Sequence, residues 1–223
     1  MRRQLLLLVF GLAACSRLPS YARAQGSVMD AAALEGADLI EYRALTREDF
    51  RGEKPDGEAA QHMDAMGATT FAILRPDPSV RFLITETPEA KSNKRYRGKL
   101  DSRLHFRAQM DRNRSWWNPK LKEMPLEYVL QHEQIHFALA AIEAKQLNAS
   151  SGAFTASVHA EGDSPDAVKS ALDAQISDLI RGALDRLIEQ NGKFDEDTSA
   201  RYAPKRQADW WRRVQAELGA PRD

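Results

Sequence analysis

The period of hydrophobic and polar positions changes once along the chain, near residue 115. Upstream, "GATTFAILR" (67–75) and "VRFLITET" (80–87) concentrate β-branched and aromatic residues around "PDPS", which predicts two strands joined by a tight connection. In "LDSRLHFRAQM" (100–110), Leu104, Phe106 and Ala108 alternate with Arg103, His105 and Arg107, the period of two of a half-buried strand. Downstream the spacing becomes helical. "SWWNPK" (115–120) reads as a loop, and Pro125 suits the first turn of a helix over about 124–147. Val168, Leu172, Ile176, Ile180, Leu184 and Leu187 carry a second helix, from an N-cap at Ser164 to Gln190, where "NGK" is expected to end it. A third spans about 203–218. Strands first and helices afterwards predict an α+β fold, an antiparallel sheet followed by a helical part.

The chain has 223 residues, enough for one domain with a real core, here expected over 39–223. Lys+Arg and Asp+Glu number 32 each, so charge offers no attraction to nucleic acid. The N-terminus reads as an export signal: "MRR", then the short apolar run "QLLLLVFGLAA". "LAAC" resembles a lipobox, giving a signal peptide over 1–14 and a lipid on Cys15, with Ser16 matching outer-membrane sorting; cleavage after Ala24 is the alternative. Cys15 is the single cysteine, so an intramolecular disulfide is excluded. Residues 15–38 mix Ser, Pro, Gly and Ala without period and suit a tether.

"LQHEQIHFALA" (130–140) places His132, Glu133 and His136 in the spacing H-E-x-x-H. On a helix, residues four apart are turned by about 40° and raised by about 6 Å, so both imidazoles project from one face and can bind one ion. Zinc suits neutral imidazole, and the carboxylate of Glu133 falls beside the ion, where it acts as general base in hydrolysis of a peptide or amide bond. A third ligand is required. Glu143 lies about 10 Å further along the same axis and is out of reach. Leu139 and Ile142 stand where the longer metzincin motif has Gly and His. His159, Glu161 and Asp195 are the remaining candidates.

"SWWNP", "VLQHEQIHFALAAIEAKQL" and "FDEDTSARYAPKRQADWWRRVQAEL", with "LTREDF" upstream, resemble a bacterial family of exported zinc-dependent peptidases, a domain of unknown function carrying an H-E-Q-x-H-F helix. The likeness spans about residues 44–218 and implies a zincin-like fold with His132 and His136 on the metal and Glu133 as base. The family's C-terminal Y-D-x-x-T-x-H-G segment is matched at Phe194, Asp195 and Thr198, but Ala200 and Arg201 stand where His and Gly are usual. Ile135 and Ala138 also depart from the family's Gly and Asp.

Trp116, Trp117, Trp210 and Trp211 read first as packing residues, with a binding role open for the earlier pair. Tyr128, one turn before His132, either packs or donates to a developing oxyanion. Together the residues point to a zinc-dependent metallopeptidase of the cell envelope, acting on a peptide or protein substrate. The alternative is a non-catalytic envelope lipoprotein that binds a partner or a structural metal.

Overall fold

The structure, a computed structural model, describes residues 36–54, 67–77, 79–87, 94–120, 124–198 and 202–219. It also describes the backbone of β1 (Leu6–Leu8) and β2 (Arg23–Gln25), which pair antiparallel. Cys15, the rest of the expected leader and most of the expected tether lie outside the described residues. Among the described residues no helix is long and apolar enough to cross a membrane.

The fold is α+β. Strands β3 (Leu39–Glu41), β8 (Phe106–Asp111) and β5 (Ala72–Pro76) form one antiparallel sheet in the order β3-β8-β5. Strands β10 (His159–Gly162), β7 (Arg95–Leu100) and β6 (Phe82–Thr87) form a second, in the order β10-β7-β6. The short strands β4 (Ala68–Thr69) and β9 (Trp116–Trp117) pair with each other. The stretches 67–75 and 80–87 therefore do not form a hairpin, because β5 pairs with β8 and β6 with β7.

Strand β7 was not legible as a strand. Its sequence "RYRGKL" exposes Arg95, Arg97 and Lys99, and the inner position between Tyr96 and Leu100 is Gly98, which breaks the apolar alternation. The glycine has a packing reason: a Cβ there would overlap Val168 Cγ1 and approach Leu172 Cδ1 to 3.0 Å. Glycine thus lets the sheet lie close against the helix α2 (Pro165–Thr198).

The helix α1 (Leu126–Ser157) packs on the β3-β8-β5 sheet and against α2 and α3 (Pro204–Leu218). Ile135 through Ala140 are all buried, as expected of a helix covered on every side. Phe106, Met110, Ile135, Phe137, Leu172, Ile176, Ile180 and Phe194 are among the fully buried core side chains.

Helix α1 runs ten residues past the expected end at 147, although "NASSGAFTAS" has low helix propensity. Tertiary bonds outweigh propensity here. Asn148 accepts from Phe106 N at 2.7 Å and donates to Phe106 O at 2.8 Å; Ser151 Oγ accepts from Arg103 Nε at 2.8 Å; Thr155 Oγ1 accepts from Leu104 N at 3.2 Å. Helix α2 begins as expected, with Ala167 N donating to Ser164 Oγ at 3.1 Å. It then continues through "NGK" to Thr198 rather than stopping at Gln190, and that extension builds the site described next.

Candidate metal centre

Two helices supply the centre. Helix α1 presents His132, Glu133 and His136, and the last turns of α2 present Asn191, Phe194, Asp195 and Thr198. Positions 191, 195 and 198 follow i, i+4, i+7 and share one helix face. Asn191 meets His136 and Thr198 meets His132, so the two faces are read in opposite chain directions.

Asp195 Oδ1 lies 3.2 Å from His132 Nε2 and 3.3 Å from His136 Nε2, and the two Nε2 atoms are 3.1 Å apart. Tetrahedral zinc with bonds of about 2.0–2.1 Å places its donors about 3.3–3.4 Å apart. The three atoms therefore already stand within a few tenths of an ångström of the spacing that an ion would impose. His132, His136 and Asp195 form a group that could hold a metal ion. The side chains of His132, His136 and Asp195 are 14%, 10% and 3% exposed, so the group is largely shielded from solvent, least so at His132. The Phe194 ring lies over His132 with centroids 4.4 Å apart and meets His136 edge-on at 5.0 Å, closing the apolar side.

The charges favour a cation. Burial by itself would lower the His136 pKa, but the carboxylates of Asp195 and Glu133 and the Asn191 amide raise it to about 9. Burial would raise the Asp195 pKa, yet His136 and His132 hold its carboxyl well below the usual carboxylate range. Glu133 is itself buried, and among the described residues its Oε2 has no hydrogen-bond partner. The two buried carboxylates that draw a proton onto His136 would draw a divalent ion in its place. The donor set and the orphaned Glu133 oxygen both fit a metal.

Of the three third-ligand candidates, Asp195 joins the histidines and the other two do not. His159 and Glu161 lie on the exposed face of β10; His159 Nδ1 contacts Ser157 O at 2.7 Å, and Glu161 accepts from Arg97 at 2.7 Å. Glu143 is a buried ion-pair partner of Arg186, with Nη2–Oε2 at 2.9 Å, which agrees with its rejection as a ligand. The described donor group forms without the histidine that the resemblance would place near Ala200, a residue outside the described set. Asn191 is hidden in the sequence because "NGK" has the composition of a helix stop. The stripe N-x-x-x-D-x-x-T opposite H-x-x-x-H was the signal that could have found it.

The neighbouring motif residues have structural work. Gln134 clamps the 43–45 segment: its Oε1 accepts from Leu45 N at 2.6 Å and its Nε2 donates to Arg43 O at 3.1 Å. Asp49 is buried and accepts from Arg43 Nη2 at 2.6 Å and Thr46 N at 2.9 Å, while Phe50 packs edge-on against Trp117 at 5.4 Å. Trp210 Nε1 donates to Asp197 at 2.9 Å and its ring abuts Phe194 at 5.5 Å, which docks α3 behind the centre. The Tyr128 hydroxyl donates to Thr198 O at 3.1 Å and accepts from Ala203 N at 3.2 Å. Its proton is committed to the backbone, which favours packing over an oxyanion role.

Comparison with known proteins identifies no relative: no family model, no curated protein and no solved structure matches the chain.

Proposed function

We propose that the protein is a zinc-dependent hydrolase of peptide or amide bonds in the bacterial cell envelope, with His132, His136 and Asp195 as ligands and Glu133 as general base. The observation that carries this reading is the buried Glu133 oxygen, which has no hydrogen-bond partner among the described residues, set beside a two-histidine, one-carboxylate triangle of donor atoms. A structural zinc site has four protein ligands, whereas the three donors found among the described residues suit a catalytic one, which keeps a position for water. Zinc, when bound, supplies Lewis acidity that polarises a carbonyl and acidifies water.

The chain's own groups do the rest. Glu133 takes a proton from the attacking water and returns it to the leaving amine. The Phe194 ring keeps bulk water from the rear of the centre, which strengthens every charge interaction within it. The resemblance of "HEQIHF" to exported zinc peptidases supports the same reading, and the apolar leader with Cys15 supports an envelope location.

The test is hydrolysis of a peptide library by the zinc-loaded full chain, native against Glu133→Gln. Glu133→Gln should bind zinc as the native chain does and turn over about 10²–10⁴-fold more slowly, the usual contribution of a general base. Equal turnover by the two, or none by the loaded native chain, contradicts the hydrolase reading.

A further inference from the structure

We infer that Asn191 and Thr198 are positioning residues that hold both histidines in the one tautomer able to bind a metal; this rests on the metal centre proposed above. A neutral imidazole has one N–H and one lone pair. If Nε2 is to face the ion with its lone pair, Nδ1 must carry the proton, and a buried Nδ1–H needs an acceptor.

Helix α2 supplies an acceptor to each ring. His136 Nδ1 lies 2.5 Å from Asn191 Oδ1, and the identity of that amide atom is settled by its other end, because Asn191 Nδ2 donates to Leu187 O at 2.8 Å. The flipped amide would set its oxygen against the Leu187 carbonyl oxygen, with nothing to share between them. His136 is therefore the donor in this pair. His132 Nδ1 lies 3.4 Å from Thr198 Oγ1, whose own proton goes to Phe194 O at 2.7 Å, leaving only a lone pair for the imidazole. Both acceptors are buried.

Each acceptor is thus oriented by a bond to the carbonyl four residues back on its own helix. Asp195, midway along the same face, contacts both Nε2 atoms. One face of α2 supplies a ligand and also fixes the protons of the other two. That is a second reason for α2 to run past "NGK": a helix ending at Gln190 would remove the ligand and both acceptors together.

The experiment is a Co²⁺ titration of the metal-stripped full chain, followed by the visible absorption of the bound ion, on native protein, Asn191→Leu, Asn191→Asp and Thr198→Val. Circular dichroism checks that each variant is folded. Asn191→Leu keeps the volume and removes the acceptor, so Co²⁺ affinity should fall about 10–100-fold. Thr198→Val should fall less, because its bond is longer. Asn191→Asp restores an acceptor and should bind at least as tightly as the native chain. Native affinity in Asn191→Leu overturns the inference. So does a loss in Asn191→Asp equal to that in Asn191→Leu, which would make the effect one of packing. Should Asn191→Leu not fold, native affinity in Thr198→Val overturns it as well. A native chain that binds no Co²⁺ removes the centre itself, whereas native binding without hydrolysis fails only the proposed function.

Discussion

Metal binding should compete with a proton on His136, and the size of that competition follows from the geometry. In the metal-free chain His136 faces Asp195 at 3.3 Å, and its pKa is raised from 6.5 to about 9. Below pH 9 the ring is protonated, and an ion that needs the Nε2 lone pair must first expel that proton. Apparent affinity should therefore fall about tenfold per pH unit between pH 9 and 7. At pH 7 that is about 100-fold, or about 2.7 kcal/mol at 1.36 kcal/mol per unit. Calorimetric zinc titrations in buffers of different ionisation enthalpy read this directly, and close to one proton should be released per ion at pH 7.

Stability carries the opposite sign. A pKa raised above its unfolded value stabilises the metal-free fold below pH 6.5, and the contribution is lost as pH rises through about 9. The melting temperature of the metal-free chain should drop over that window, while the zinc-loaded chain, with no proton on Nε2, should not follow it. Zinc affinity that is flat from pH 7 to 9, with no proton release, would refute the coupling between Asp195 and His136 on which this rests.

Two substitutions separate structural from chemical roles around the same helix. Gln134→Leu removes both bonds to the 43–45 segment and leaves the buried Leu45 N–H without its acceptor, so the fold should lose about 1–3 kcal/mol in denaturant unfolding while metal stoichiometry stays native. Tyr128→Phe should cost about 1–2 kcal/mol of stability and leave kcat within a factor of a few, because the hydroxyl serves Thr198 O and Ala203 N; a loss of about 10²–10³ in kcat would instead mark an oxyanion donor.

How far the sequence reached depended on the range of the interaction. The pair His132 and His136 is legible because helical spacing is local, whereas the alternation over 100–110 marks only the start of β8, which begins at Phe106 and buries Gln109 and Asp111 on its expected polar face. Glycine at 98 hid β7, since the inner position that should have been apolar is occupied by the close approach of Val168. The partition into two three-stranded sheets rests on pairings such as Arg97 with Glu161, which no local pattern carries. Both long helices outlasted their predicted ends for the same reason. Asn148 and Thr155 are held by the backbone of Leu104 and Phe106, and Asn191 by His136, so residues that discourage a helix in isolation are satisfied across space. Asp195 remained one of three candidates because its partners sit on another helix, and only the fold could separate it from His159 and Glu161.

The reading of the centre stands or falls on whether His132, His136 and Asp195 jointly hold one metal ion. Elemental analysis of the full chain, isolated without added metal and compared with Asp195→Ala, tests it most directly. The native protein should carry about one zinc per chain, and the variant should lose nearly all of it. A native protein without metal, or a variant that keeps its ion at full stoichiometry, would contradict it.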